Sequence, residues 1–209
     1  MILENYYWLF PKAVPERICN EIISFGKSCQ EEQALVGKYK RDMKLNKKDI
    51  RDLKKKRDSQ VVWLKERWVW NLIEPFVHEA NRLAGWNFQW DYSEPSQFTK
   101  YNKNQYYGWH ADSWPKAYDN VGGEDHGKIR KITSMLMLSD KSEYEGGDFE
   151  IDTRQEDPDI KKNTTVKKVD YAEKGTLICF PAFLWHRVKP VTKGTRYSMP
   201  TWHLGEPFK

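Results

Sequence analysis

Two histidines and one aspartate in the second half of the chain have the residue types and spacing of metal ligands. His110 and Asp112 stand two residues apart in the segment QYYGWHAD, so on a strand both side chains would point to the same face. His186 follows in the aromatic segment FLWHRV. Two imidazoles and one carboxylate form a facial triad, the set typical of non-heme iron(II) that activates dioxygen. Each part also has an ordinary interpretation: a hydrogen-bonded surface His-x-Asp pair, and a satisfied core or surface histidine.

An arginine follows the second histidine at a spacing that could return it to the same interior. Arg196 lies ten residues after His186, and Gly194 indicates a turn between two successive strands. A buried guanidinium requires an anionic partner, and a dicarboxylate would supply one. Ser198, two residues on and on the same face, could add a hydroxyl to that carboxylate. The alternative is a structural ion pair between Arg196 and one of the chain's own acids.

These four positions resemble, in order and spacing, the 2-oxoglutarate and iron(II) dioxygenase superfamily, and within it the prolyl 4-hydroxylase-like branch. The resemblance extends over most of the chain. It implies Fe(II), 2-oxoglutarate as cosubstrate and O2, with ascorbate as a further cofactor. The implied reaction is hydroxylation of an unactivated C–H bond, with a peptidyl proline as the substrate and with release of succinate and CO2.

The same resemblance implies roles for residues around the triad. Tyr101 and Tyr107 stand nine and three residues before His110, as two tyrosines do in this branch. By analogy the Tyr101 hydroxyl binds the cosubstrate carboxylate, together with Arg196 and Ser198. Trp202, six residues past Arg196, fits the closing strand of the family, and we place it in the same cofactor-binding set.

The segment after Asp112 is a candidate substrate lid. Residues 113–129 are long and rich in turn residues, and they carry Trp114 and Tyr118 as candidate substrate contacts. A plain surface loop is the alternative interpretation. The other histidines are weaker candidates for the metal: His126 lies in a Gly- and Asp-rich stretch, His78 lies on a predicted helix, and His203 falls on the strand face opposite Arg196.

The elements that must position these residues are two helices followed by strands. Apolar spacing predicts amphipathic helices over 14–28 and 66–84, with Pro75 expected to kink or split the second. After Gly85 the sequence predicts eight short strands, at 97–102, 106–112, 130–138, 147–152, 165–170, 176–180, 183–189 and 195–203. The predicted fold is therefore mainly β with supporting helices, a double-stranded β-helix (jelly roll) with the N-terminal helices packed on one sheet.

Length and composition favour one domain in a reducing compartment. We expect residues 1–209 to form a single dioxygenase domain, with N-terminal helical support over 1–95 and a jelly-roll core over 96–209. The three cysteines form neither an even set nor a zinc-type cluster. No apolar run approaches the roughly 20 residues needed to span a bilayer, and the start lacks a basic leader. A cytoplasmic protein without a membrane partner is expected.

The net charge of +5 is concentrated in one segment. Residues 38–57 carry eleven Lys or Arg against three Asp. The favoured interpretation is a solvated excursion, and the alternative is contact with an acidic or nucleic-acid partner.

Two other functions remain open at this point. The same cofactors could act on a small molecule or free amino acid instead of a peptide or protein. A non-catalytic jelly-roll module with structural histidines is the alternative from a different class, and the position of Arg196 argues against it.

Overall fold

The computed structural model describes residues 3–35, 45–153, 165–171 and 173–208. Three α-helices lie in its first half: α1 (Glu16–Ser28), α2 (Lys47–Lys54) and α3 (Arg67–Leu83). Helices α1 and α3 match the two amphipathic helices expected from apolar spacing. Helix α3 runs through Pro75 as one element, so the predicted split is absent. Its buried face, which includes Val69, Ile73 and Val77, holds both halves against the sheet.

Fifteen strands surround and follow the helices in the described part of the chain. They are β1 (Trp8–Phe10), β2 (Glu32–Gln33), β3 (Arg57–Asp58), β4 (Gln60–Leu64), β5 (Tyr92–Ser93), β6 (Ser96–Tyr101), β7 (Tyr106–His110), β8 (Ile129–Met137), β9 (Tyr144–Gly146), β10 (Phe149–Asp152), β11 (Val166–Lys168), β12 (Leu177–Pro181), β13 (His186–Val188), β14 (Val191–Gly194) and β15 (Arg196–Gly205). A short 3-10 helix (Lys141–Glu143) precedes β9.

The strands form two main sheets that face each other. The major sheet has the order β1-β12-β8-β15-β6-β4-β2, with β5 paired to β15, and the minor sheet has the order β11-β10-β13-β7-β3. Strands β14 and β9 form a separate pair. The sheets meet through aromatic contacts, since Phe149 of the minor sheet lies 5.5 Å from Phe180 of the major sheet, measured between ring centroids. The functional residues predicted from the sequence lie in or near this interior.

The helices cover the outer face of the major sheet, as predicted. Helix α3 contacts β1, β12 and β8. Helix α1 approaches β6 so closely that a Cβ on Gly26 would lie 2.6 Å from a ring carbon of Phe98. A glycine is therefore required where this helix crosses the strand, and the helical layer is fixed against the sheet.

Part of the basic segment is ordered into the fold. Residues 36–44 lie outside the described part of the chain, whereas α2 begins at a capping box formed by Asn46 and Asp49. The segment then enters the minor sheet as β3, which pairs with β7. The region before residue 96 thus supplies strands as well as helices, which the division into helical support and jelly-roll core did not include. Short strands such as β3 have too few residues for a recognisable alternation.

No helix of the described residues is both long and apolar enough to cross a membrane.

Candidate metal centre

The two histidines of the predicted triad are brought together by direct strand pairing. His110 ends β7 and lies opposite His186, the first residue of β13. Strand β7 ends at His110, two residues before the predicted end at 112, so Asp112 lies just past the strand. The backbone N–H of Asp112 donates to the Ala182 carbonyl at 2.8 Å. The three side chains offer ligand atoms that all lie within 4.8 Å of one another. Among the described residues they are the one His, Cys, Asp or Glu cluster with this geometry.

The second nitrogen of each imidazole is held by the backbone of its own segment. His110 Nδ1 lies 2.9 Å from the Gly108 carbonyl oxygen, and His186 Nδ1 lies 2.9 Å from the Leu184 carbonyl oxygen. A carbonyl can only accept, so each Nδ1 carries the proton and each Nε2 keeps a free lone pair. Both Nε2 atoms face Asp112, at 3.7 Å from Oδ1 for His110 and 3.4 Å from Oδ2 for His186. This tautomer and orientation are what a metal ion requires of histidine ligands.

Asp112 is fixed from the opposite sheet. Its Oδ2 atom accepts a hydrogen bond of 2.8 Å from the Thr133 hydroxyl on β8. Burial opposes ionisation of this carboxyl, but its interactions with His186 and His110 keep the pKa of Asp112 well below its usual range. Burial, followed by the charge of His186, holds the pKa of His110 well below 6.5. A deprotonated carboxylate and a neutral imidazole are the forms that bind a metal, so the donor set fits iron(II).

A second cluster surrounds Arg196, which is fully buried on β15. Its Nη1 donates to Ser198 Oγ at 2.9 Å, and its Nε lies 3.4 Å from the Tyr171 hydroxyl. Its Nη2 faces the sulfurs of Met135 and Met137 at 3.9 and 3.7 Å. These are weak or neutral acceptors, and no carboxylate of the described residues pairs with the guanidinium. The alternative of an internal ion pair therefore finds no support in the described chain.

Of the other residues predicted to bind the cosubstrate, Tyr101 lies near Arg196 and Trp202 contacts other residues. The Tyr101 ring lies 5.4 Å from the Arg196 guanidinium carbon, on the strand paired with β15. Gly147, of the glycine pair before β10, has a φ of +59° and lies close enough that a Cβ would be 3.0 Å from Arg196 Cδ. Trp202 contacts other residues: its ring lies against Trp63 and under the Arg130 guanidinium, 3.9 Å from the guanidinium carbon. Its cofactor role stays a prediction.

The Trp202 region forms a polar and aromatic wall at the other side of the interior. Arg130 is charge-paired with Glu94, with 2.8 Å between Nε and Oε1. The Trp202 indole nitrogen is fully enclosed and has no hydrogen-bond partner. A buried N–H without an acceptor is costly, and no group of the described residues offsets this cost.

The two aromatic residues of the candidate lid, Tyr118 and Trp114, differ in their exposure. Tyr118 is partly buried, and burial raises the pKa of its hydroxyl to about 12. Its backbone bonds to Lys128 and Gly127, which closes residues 118–128 into a loop. Trp114 is 62% exposed and makes no described aromatic contact. Tyr118 is therefore partly packed into the fold, whereas Trp114 lies at the surface.

The remaining histidines lie outside the triad. His203 is buried between the hydroxyls of Ser93 and Ser134, at 2.8 and 2.9 Å from its two ring nitrogens. His126 is exposed in the loop, and His78 stacks on Trp90 at the surface of α3. These placements agree with the structural role expected for His203.

Several residues of the site were not found from the sequence. Tyr171 and its hydrogen-bonded neighbour Tyr144 stand near Arg196, with 3.1 Å between the two hydroxyl oxygens. Arg57 was also missed. Its guanidinium carbon lies 4.5 Å from the ring centroid of Tyr107, a tyrosine named from the sequence whose ring stacks on His110 with 3.4 Å between centroids. Parity along β8 could have indicated Thr133, since it shares a face with Met135 and Met137.

Comparison with known proteins identifies the family. Residues 96–204 match the sequence profile of the 2OG-Fe(II) oxygenase superfamily. The chain belongs to this superfamily. The expected membership is therefore confirmed, and the matched region contains both histidines, the aspartate and Arg196. Membership implies Fe(II), 2-oxoglutarate and O2 as the cofactors of the family.

Curated relatives carry the name PKHD-type hydroxylase. One from Prochlorococcus marinus is 35% identical over 105 residues, which is 50% of this chain and 39% of the relative. One from Xylella fastidiosa is 31% identical over 109 residues, or 52% of this chain and 43% of the relative. The match thus spans about two fifths of the length of each relative.

Solved structures of prolyl hydroxylases share the fold. A viral collagen prolyl hydroxylase from Paramecium Bursaria Chlorella virus-1 aligns with a TM-score of 0.63 and 19% identity, covering 97% of both chains. A Trichoplax adhaerens prolyl hydroxylase, in complex with a hypoxia inducible factor peptide fragment, aligns at 0.66 and 15%, covering 96% of this chain and 84% of the other. A Pseudomonas putida prolyl-4-hydroxylase aligns at 0.64 and 15%, covering 96% and 93%. The expected jelly roll with helical support is confirmed.

Proposed function

We propose that this chain is an iron(II)- and 2-oxoglutarate-dependent dioxygenase that hydroxylates proline in a peptide or protein. The observation that carries the proposal is the pairing of the two buried clusters. One is a metal-binding set with both Nε2 atoms aimed at Asp112, and the other is a buried Arg196 without a carboxylate partner. When bound, iron(II) with 2-oxoglutarate and O2 supplies the oxidation that converts C–H to C–OH, as 2-oxoglutarate becomes succinate and CO2.

The side chains have binding and positioning roles in this proposal. His110, Asp112 and His186 hold the metal, with orientation set by the backbone carbonyls and Thr133. Arg196 and Ser198 bind the far carboxylate of 2-oxoglutarate, and Tyr101 lies on the neighbouring strand to contribute its hydroxyl. The closed interior around Phe180 and Phe149 excludes water from the reacting groups, which protects the oxidant from side reactions.

The choice of a peptidyl proline rests on the family branch. The tyrosine spacing and Trp202 resemble the prolyl 4-hydroxylase-like branch, and the relatives are named as hydroxylases.

The test is a turnover assay in air with iron(II), 2-oxoglutarate, ascorbate and proline-containing peptides. We expect a mass gain of one oxygen on proline, with one succinate formed per hydroxylation, and no gain in peptides with alanine at that position. The His186→Ala variant should be inactive, and the exposed His126→Ala variant should match the parent. Oxidation of a small molecule instead of any peptide would reject the proline assignment while retaining the cofactor chemistry.

A further inference from the structure

Two arginine side chains, Arg57 and Arg196, are buried around the site, and a third, Arg130, is half-buried. Arg130 is paired with Glu94, and Arg196 faces the proposed cosubstrate pocket. Arg57 is only 4% exposed, yet it makes no ion pair within the described residues. A buried charge without an opposite charge is costly, so a third anion is expected beside Arg57 when the site is in use.

The guanidinium of Arg57 has hydrogen-bonding capacity to spare. Its Nε donates to Ser59 Oγ at 2.9 Å, and its Nη2 donates to Gln97 Oε1 at 2.7 Å. An arginine has five N–H groups, so three remain without an acceptor among the described residues. Among the described residues, the fully enclosed side-chain atoms without a hydrogen-bond partner are Glu66 Oε2 and Trp202 Nε1. The Nη1 atom of Arg57 is not one of them, so it is open to a ligand. These free donors match the two oxygens of a carboxylate.

Tyr107 connects Arg57 to the metal-binding residue His110. The Tyr107 ring stacks on His110 with 3.4 Å between centroids, and the Arg57 guanidinium carbon lies 4.5 Å from the same Tyr107 centroid. A cavity of about 360 Å³ lies on the other side of Gln97, the partner of Arg57, and its lining also includes Trp63, Lys65 and Glu32. Gln97 therefore both lines the cavity and accepts the hydrogen bond from Arg57. Trp63, in turn, contacts Trp202.

The surrounding charge is also suited to an acidic partner. Residues 45–57 carry seven Lys or Arg and two Asp. Helix α2 lies in this segment, and the Tyr106 hydroxyl on β7 donates to the carbonyls of Lys54 and Lys55. The basic helix is thereby fixed beside the strand that ends at His110. Its field would attract an acidic peptide before the peptide reaches Arg57.

We infer that Arg57 is a specificity-determining residue, which binds an aspartate or glutamate side chain close to the hydroxylated residue of a peptide substrate. The inference rests on the proposed function, because it names the substrate class of the same site. Arg57 supplies the charge-assisted contact at short range, and the basic segment supplies attraction at longer range.

The test uses matched peptides with one central proline. A single Asp is placed in turn at each of the three positions on either side, and each peptide has an Asn twin. Binding is measured by fluorescence anisotropy on the full chain loaded anaerobically with iron(II) and 2-oxoglutarate, where no turnover occurs. We expect at least one Asp peptide to bind roughly ten- to a hundredfold more tightly than its Asn twin, as charged hydrogen bonds do.

Variants of Arg57 show whether its side chain contacts the substrate or only supports the Tyr107 ring. Arg57→Gln should remove the preference for Asp while leaving the Asn twin within about twofold, and Arg57→Lys should retain part of the preference. The exposed Arg51→Gln variant on α2 is the matched control and should keep the preference. Circular dichroism and the iron and 2-oxoglutarate absorption band report whether each variant is folded, and the comparison of Asp with Asn on the parent needs no variant.

The outcomes distinguish this inference from the proposed function. Equal binding of every Asp and Asn twin, with proline still hydroxylated, overturns the role of Arg57 alone. So does an Arg57→Gln variant that weakens both twins equally. A preference for Asp without oxygen transfer in air supports the acidic site and rejects proline hydroxylation. No binding of any peptide overturns both.

Discussion

The hydroxyl of Thr133 offers a direct test of how the metal centre is held. Thr133 Oγ1 donates to Asp112 Oδ2 at 2.8 Å in a buried environment. Replacement by valine keeps the shape of the side chain and its β-branch but removes this donor. A hydrogen bond to a charged group contributes about 1.5–3 kcal/mol, and loss of such a partner of a metal ligand lowers affinity by roughly 10–100-fold. The two ranges agree, because about 1.4 kcal/mol corresponds to a factor of ten.

We expect Thr133→Val to raise the dissociation constant of iron(II) by roughly 10–100-fold. The measurement is anaerobic isothermal titration calorimetry of the metal-free protein at fixed pH. Thr133→Ser retains the hydroxyl and should stay within about threefold of the parent, which separates the hydrogen bond from packing. If valine binds iron as tightly as the parent while its far-ultraviolet spectrum is unchanged, the orientation of Asp112 does not depend on Thr133 and the reasoning fails.

Three further predictions concern the cosubstrate, the pH dependence and the basic segment. Arg196→Gln should raise the half-saturating concentration of 2-oxoglutarate for succinate formation by roughly 10–100-fold with iron affinity unchanged; an unchanged value contradicts the assigned role. Burial, with the charge of His78, lowers the pKa of His203 to about 3, so its contribution to stability is complete above about pH 6.5 and declines as the pH falls toward 3. Between pH 7 and pH 5 the free energy of unfolding, measured in urea, should therefore fall by about 2 kcal/mol more in the parent than in His203→Gln. Equal decreases in the two proteins would refute the lowered pKa of His203. The last variant replaces five lysines with Gln: Lys47, Lys48, Lys54, Lys55 and Lys56. It should leave substrate-free succinate formation intact but slow the hydroxylation of acidic peptides at low salt and flatten the salt dependence of that rate. Unchanged hydroxylation rates would favour a segment that is merely solvated.

The residues that the structure brings together as predicted are those with short-range signals in the sequence. The His-x-Asp pair and the two-residue spacing from Arg196 to Ser198 follow from the alternation of side chains along a strand. Each predicted strand after Gly85 has an observed counterpart, because apolar alternation and turn residues both occur within a few positions. The roles of these residues remain predictions, whereas their placement in one interior is observed.

The residues that were missed depend on pairings between distant parts of the chain. Arg57 reaches the site because β3 pairs with β7, and in the sequence it is the last of a run of exposed-looking charges. Its burial could not be read from composition, since the segment average describes a solvated surface. Tyr171 and Thr133 are likewise defined by what faces them across the interior. Pro75 was expected to kink or split α3, and the helix is not split, because tertiary packing of the apolar face outweighs the one hydrogen bond that proline removes.

The pairing of His110 with His186 links metal binding to the unfolding equilibrium of the whole domain. These two residues belong to strands that are distant in the sequence, and their pairing is accompanied by a shift in strand register. An ion held by both would act as a cross-strand tie that exists only in the native state, since the unfolded chain cannot keep the two imidazoles adjacent. At a free metal concentration one hundred times the dissociation constant, such a tie adds about 2.7 kcal/mol to the free energy of unfolding. The melting temperature should therefore rise with metal concentration, and chelation should expose the strands β7 and β13 to proteolysis before the rest of the sheet.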